Sequence, residues 1–354
     1  MSVEFVSADQ VAHAAACEAP LRLVDTFGRV ARDLRVSLTD RCNLRCSYCM
    51  PPEGLDWLPT EDTLTDAEVV RLVRIGVERL GIRQVRFTGG EPLLRRGLEG
   101  IIAECSQLRT DEGRAPDLAL TTNALGLAKR AQGLRDAGLD RVNISLDSLD
   151  REHYAAITRR DRLGDVLEGI EAAARAGLSP IKVNTLVLRG MNEADLPDLV
   201  DYCLDRGIEL RVIEQMPIGP VDTWDRQNIL TADEILHIMG TRHTLDPAQR
   251  EDPHSPAGCW IVDGDPTKRL GVIASVSDPF CNACDRTRLT SDGMVRSCLF
   301  STEETSLRDL LRGGGSDAQI AARWADAMWV KPAAHGLNTD AFARPSRTMS
   351  RIGG

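Results

Sequence analysis

Apolar and polar positions along this chain follow two periods in turn. Leu34, Val36 and Leu38 alternate with Arg35, Ser37 and Thr39, the period-two pattern of a strand. Past a turn-rich stretch from Pro51 to Pro59, Thr65-Asp66 offers a helix start. Val69, Val70, Leu72, Val73, Val77 and Leu80 then form an apolar stripe that Gly81 ends. The same exchange repeats. Strands are expected at 84–88, 118–122, 141–146, 181–188 and 209–214. Helices are expected at about 97–108, 127–137, 163–176 and 193–206, with Gly138, Gly177 and Gly207 as stops. Strict alternation calls for a parallel sheet with right-handed crossovers. Polar residues at the strand ends favour a full or partial barrel over a doubly wound sheet, because a barrel places its site at the C-terminal rim. The reading divides the chain into an N-terminal extension (1–24), a barrel (25–217), a linker with a short helix near 232–239 (218–258), and a C-terminal region (259–354) with strands near Trp260 and 270–276. No internal repeat or low-complexity tract appears.

With 354 residues, 42% hydrophobic and 27% charged, the chain has the composition of an ordinary soluble globular protein. No apolar run approaches the length of a membrane span. Glu4 and Asp9 make the N-terminus a poor signal peptide, so a cytoplasmic location is expected. The formal charge of −10 disfavours a general nucleic-acid binder, and an anionic ligand would need a local basic pocket.

Ten cysteines in such a chain argue for metal or catalysis over disulfides. Six fall in two tight groups, while Cys17, Cys105, Cys203 and Cys259 stand alone. Cys42, Cys46 and Cys49 follow C-x3-C-x2-C directly after the first strand. Three thiolates on one loop suit a 4Fe–4S cluster with one iron left open for a ligand. A zinc site completed by a distant side chain is the less favoured alternative. Cys281, Cys284 and Cys298 follow C-x2-C-x13-C, for which zinc, with Cys259 as fourth ligand, and iron–sulfur are equally compatible. Between them Arg286 and Arg288 flank Thr287, and in extended chain the two arginines share a face suited to phosphate oxygens. Lys182 and Asn184 occupy alternate positions of an otherwise apolar strand. A lysine on the inner face of a barrel strand is costly without a partner, and an anionic substrate would be one.

CNLRCSYCM resembles the signature of the radical S-adenosylmethionine enzymes. Taken in order, VRFTGGEPLL, LTTNA, VNISLDSLD, IKVN, RVIEQMP, SVSDPFCNACDRTRLTSDG, SCLF and the terminal Gly353-Gly354 resemble the GTP 3′,8-cyclases, the molybdenum-cofactor biosynthesis protein A family. The resemblance runs from about Asp25 to the last residue. It implies an α/β fold, a partial (β/α)6 TIM-type barrel of the radical SAM kind, with a C-terminal extension carrying a second cluster. Cys42, Cys46 and Cys49 would hold the first 4Fe–4S cluster, whose open iron chelates S-adenosylmethionine, and Cys281, Cys284 and Cys298 the second, whose open iron contacts guanine. Tyr48, Gly90, Ser145 and Met216 match positions touching S-adenosylmethionine. Gly89 and Gly90 would let the backbone approach that ligand. Arg35, Arg86, Thr121, Lys182, Arg286, Thr287 and Arg288 are assigned to GTP. Arg211 and the Gly353-Gly354 tail are assigned to catalysis, although an ion pair with Glu209 or Glu214 would also account for Arg211.

The implied reaction is the first step of molybdenum cofactor biosynthesis. A 5′-deoxyadenosyl radical abstracts the ribose C3′ hydrogen, and the C3′ radical attacks guanine C8 to give 3′,8-cyclo-7,8-dihydro-GTP. The implied partners are a flavodoxin- or ferredoxin-type electron donor and the cyclic pyranopterin monophosphate synthase, with the protein a monomer or homodimer and no nucleic acid or membrane involved. Ala124 departs from the family's frequent glycine, a change expected to be tolerated provided the backbone there is not at positive φ. A peptide-modifying radical S-adenosylmethionine enzyme, or a zinc or electron-transfer protein, are the competing readings.

Overall fold

The computed structural model describes residues 21–220, 224–337, 339 and 342–353; Cys17 and Gly354 lie outside them. Six strand–helix steps come first: β1 (Asp33–Ser37), α1 (Asp66–Arg74), β2 (Gln84–Thr88), α2 (Leu98–Ser106), β3 (Asp117–Thr122), α3 (Leu127–Asp136), β4 (Arg141–Ser145), α4 (Arg151–Thr158), α5 (Leu163–Arg175), β5 (Ile181–Leu186), α6 (Leu196–Leu204) and β6 (Glu209–Ile213). Then follow α7 (Ala232–Met239), β7 (Leu245–Ala248), β8 (Gly258–Val262), β9 (Asp265–Ile273), β10 (Arg286–Leu289), β11 (Met294–Arg296), β12 (Thr305–Ser306), α8 (Arg308–Arg312), α9 (Asp317–Trp329) and α10 (Met349–Ile352).

Local chemistry explains the boundaries. Thr65 caps α1 by accepting from the Glu68 N–H while the Glu68 carboxylate accepts from the Thr65 N–H. Thr231 with Glu234 and Ser316 with Gln319 repeat this box on α7 and α9. At the other ends, Gly138 (φ 101°) and Gly177 (φ 76°) take the left-handed conformation that stops α3 and α5. Helix α4 was not foreseen from the pattern: its buried face is only Tyr154, Ile157 and Thr158, too narrow to register as a stripe.

The sheet runs β12-β11-β10-β1-β2-β3-β4-β5-β6-β9-β8-β7. Strands β1 to β6 pair in parallel, as the alternation predicts. The later strands do not form a layer of their own. β9 joins β6 in parallel and β10 joins β1 in parallel, so the C-terminal region lengthens the barrel wall at both edges. The helices cover the outside, burying Leu34, Val36, Phe87, Leu120, Ile144, Val183 and Val212 almost completely. Parallel strands covered on both faces are usually apolar throughout. Here most inward positions are polar, Ala119, Leu186 and Ile213 being exceptions, because the inner face lines a cavity. The chain is packed ahead of Asp25: Leu23 is fully buried and Val24 bridges Val30.

Candidate active site

The loop after β1 folds over the C-terminal rim and brings Cys42, Cys46 and Cys49 to one cavity of about 300 Å³. Backbone contact with the β2 turn holds it there. The Gly90 N–H donates to the Thr39 carbonyl at 2.7 Å and the Glu91 N–H to the Arg41 carbonyl at 2.8 Å. A Cβ at Gly89 would lie 2.4 Å from the Thr39 oxygen, and one at Gly90 2.3 Å from the Arg41 oxygen. Their missing side chains admit the cysteine loop itself, and Gly89 still lines the cavity into which a ligand was expected to approach. Gly90 also lines the cavity, as do Tyr48, Ser145 and Met216.

Burial pushes the Cys42 thiol up to about 11, the Cys49 thiol to about 12, and Cys46 well above its ordinary value. Three buried thiols without a cation ask for one. Donors already face the sulfurs: Leu44 N–H reaches Cys42 Sγ at 3.5 Å, and Asn123 Nδ2 reaches it at 3.9 Å. Among the described residues no three His, Cys, Asp or Glu side chains converge on a single-ion site. A cubane takes its thiolates on three separate iron corners and does not require them to converge on one ion.

Two carboxylates of the rim were not singled out by the sequence. Glu91 is fully buried and accepts from Thr122 Oγ1, Asn123 N and Leu93 N at 2.7–2.9 Å. Burial still raises it to about 7. Asp147 accepts from Tyr48 Oη at 2.9 Å and from the Leu186 N–H, and burial raises it to about 6. The signal was present in GGEP and in LDSLD, where an acid directly follows a strand end. Ala124 has φ 63°, the left-handed region, so the condition set for tolerating it is not met and the position is strained.

Deeper in the cavity Arg35, Arg86, Arg286 and Arg288 converge from β1, β2 and β10. Arg35 and Arg288 are register neighbours, as are Arg35 and Arg86. Burial and mutual repulsion lower all but Arg286, Arg288 to about 9. Burial alone would raise Asp33, but Arg35, Arg86 and Arg286 hold it down at about 2. Buried polar atoms without a partner cluster here: Arg35 Nε, Arg86 Nε, Arg286 Nε and Nη2, Thr121 Oγ1, Asn143 Oδ1 and Asn184 Oδ1. Unpaired buried donors and acceptors of this kind are costly unless a ligand takes them.

Other expected residues fall differently. Thr287 is on the opposite face of β10, fully buried, its Oγ1 accepting from Trp324 Nε1 at 3.0 Å, so the structure does not bring it to the cavity. Glu209 bridges Lys182 (2.7 Å) and Arg211 (2.6 Å). The partner that Lys182 demands is thus supplied by the protein, and Arg211 has the ion pair that would also account for it.

Cys281, Cys284 and Cys298 line a second, smaller cavity of about 60 Å³ with Phe300 and His335. Arg286, Arg288 and Met216 border both spaces, so the two thiol groups face one another across the arginines. Burial raises Cys284, but Arg286 and Lys331 more than reverse it and leave the thiol at about 7. Cys259 sits in β8 with its Sγ directed to the Ala257 carbonyl at 3.9 Å and joins neither group. The C-terminal segment closes the space. Met349 and Ser350 line it, and the Gly353 carbonyl accepts from Arg288 Nη1 at 2.5 Å.

Residues 36–203 match the radical SAM superfamily and residues 208–337 match Molybdenum Cofactor Synthesis C. A GTP 3′,8-cyclase of Corynebacterium glutamicum ATCC 13032 is 59% identical over 336 residues, 94% of this chain and 89% of the relative. The chain belongs to the GTP 3′,8-cyclase family. A GTP 3′,8-cyclase of Mycobacterium marinum is 56% identical, with 94% of this chain and 92% of the relative covered. Among solved structures, Streptococcus suis SuiB bound to S-adenosylmethionine superposes with a TM-score of 0.56 at 14% identity, covering 82% of this chain and 68% of SuiB. Native anSMEcpe with bound AdoMet gives 0.55 at 14% identity, covering 83% and 79%. These two share the fold alone; the 59% and 56% identity to the cyclases is what shows the family.

Proposed function

We propose that this chain holds GTP between two 4Fe–4S clusters and converts it to 3′,8-cyclo-7,8-dihydro-GTP, the family's activity in the first step of molybdenum cofactor biosynthesis. The observation that carries the reading is the set of buried arginines, with unpaired donors, lying between two thiol triads. Cys42, Cys46 and Cys49 would hold the cluster that binds S-adenosylmethionine, with Tyr48, Gly90, Ser145 and Met216 around it. Cys281, Cys284 and Cys298 would hold the second. When bound, the first cluster and S-adenosylmethionine supply the radical that opens the ribose C3′–H bond.

The protein's own contribution is binding and exclusion of water. Arg35, Arg86, Arg286 and Arg288 are assigned to the polyphosphate, whose charge supplies the anion their burial lacks. Thr121, Asn143 and Asn184 offer partners to ribose and base. Glu209 holds Arg211, which lines the same cavity, and Lys182 on the neighbouring strand, and exchanges part of its role for the substrate's oxygens. The Gly353 carbonyl orients Arg288, and Met349 and Ser350 close the site beside it. A flavodoxin- or ferredoxin-type donor, transfer of product to the cyclic pyranopterin monophosphate synthase, a cytoplasmic location and a monomer or homodimer complete the proposal. Among the described residues no helix is long and apolar enough to cross a membrane.

The test is anaerobic. The reconstituted protein is incubated with dithionite, S-adenosylmethionine and GTP, and 5′-deoxyadenosine and cyclised nucleotide are measured. Formation of both only with GTP is expected; 5′-deoxyadenosine that ignores GTP would overturn the substrate. Arg86→Ala is expected to weaken GTP binding at least tenfold, the loss of about 1.5–3 kcal/mol of charged hydrogen bonding. One bulky residue added after Gly354 is expected to lower turnover, and full activity would remove the tail from the mechanism.

A further inference from the structure

Lys331 follows α9, far in sequence from every cysteine, and was not among the residues singled out by spacing or motif. It is 4% exposed. Its ammonium donates to the Cys284 carbonyl at 2.9 Å, to the Arg286 carbonyl at 2.9 Å and to Cys284 Sγ at 3.4 Å. Three protons therefore meet three acceptors, and the side chain is saturated. None of those acceptors is a carboxylate. A cation taken this far out of water needs an opposite charge close by, and among its hydrogen-bond partners in the described residues the Cys284 sulfur is the one that can carry a negative charge.

The surroundings fix this geometry. Arg29 Nη1 donates to the Cys281 carbonyl at 2.7 Å and to the Ala333 carbonyl at 2.9 Å, while its Nε pairs with Asp25 at 2.6 Å. Arg29 thus ties the segment after α9 to the cysteine turn, and Lys331 reaches from that segment into the turn's centre. Trp324, fully buried on the same helix, anchors it to Thr287 of β10. The lysine is held from three sides against the back of one thiol, away from the cavity in which substrate is placed.

We propose that Lys331 is a positioning residue that serves as the built-in counter-cation of Cys284 and sets the reduction potential of the C-terminal cluster. The inference rests on assigning Cys281, Cys284 and Cys298 to that cluster. Reduction adds negative charge to a cluster and its thiolates, and a fixed cation with an N–H aimed at one sulfur favours the reduced form. Removing the charge therefore moves the midpoint potential to more negative values, whereas a guanidinium at the same place preserves it.

The experiment uses the full chain with Cys42→Ala, Cys46→Ala and Cys49→Ala, so that one cluster remains. Iron and sulfide content first tests the ligand assignment: a preparation that takes up no cluster overturns that assignment. With the cluster present, its midpoint potential is read by EPR-monitored titration in the parent, in Lys331→Gln and in Lys331→Arg. The expected result is a negative shift for Lys331→Gln and a potential near the parent's for Lys331→Arg. An unshifted Lys331→Gln overturns the proposal while leaving the assignment intact. Should Lys331→Gln lose iron, retention by Lys331→Arg supports the charge role, and loss from both variants overturns it in favour of packing.

Discussion

At the scale of single residues, the rim carboxylates couple protonation to folding. Glu91 is held at about 7 and Asp147 at about 6, both above their ordinary 4.5 and 3.8. The folded protein therefore binds more protons than the unfolded chain between those limits, and stability falls as pH rises through pH 4 to 7. Asp33, at about 2, acts in the opposite sense, and its contribution is lost only as pH falls from 4 toward 2. The urea midpoint of the metal-free protein is expected to decrease from pH 5 to pH 7.5, with a flatter profile in Glu91→Gln; parallel profiles would remove Glu91 as the cause. Ala124 presents a different strain. Its methyl tolerates φ 63°, but a β-branched side chain does not. Ala124→Val is expected to cost about 1–3 kcal/mol in the same assay.

Among the elements, the two that matter most are the cysteine loop, held against backbone, and the C-terminal tail, held among side chains. The cysteine loop rests on Gly89 and Gly90, where an added Cβ meets main-chain oxygens that cannot move aside. Gly90→Ala is expected to lower both iron retention and the denaturation midpoint, and unchanged iron content would show that the loop yields. At the tail the close neighbours are side chains. Gly353 has φ 87°, and a Cβ there would lie 3.0 Å from Ser37 Cβ and from Thr88 Cγ2. Strand periods and glycine stops made β1 to β6 and most of their helices legible. Helices α4 and α9 were not, the first for its narrow apolar face and the second because alanines make up part of its buried stripe of Ile320, Ala321, Trp324, Ala327 and Met328.

For the whole molecule, the barrel is a joint product of both halves. Strands β9 and β10 pair with β6 and β1, so residues 25–217 alone would expose two strand edges and the inward arginines. A fragment ending at residue 217 is expected to lack a cooperative unfolding transition and to aggregate. A monomeric fragment with a sharp transition would show that the C-terminal region is an appendage.

Alone, the sequence determined the periods, the helix caps, the two cysteine spacings and the resemblance. Each is a property of neighbouring residues, and the chain writes such properties directly. Tertiary structure decided what the periods could not express: that Trp324 ties down Thr287, that Glu209 answers Lys182, and that Lys331 meets Cys284. These are meetings between residues tens of positions apart. They exist only once the sheet has brought β10 beside β1 and α9 against them both.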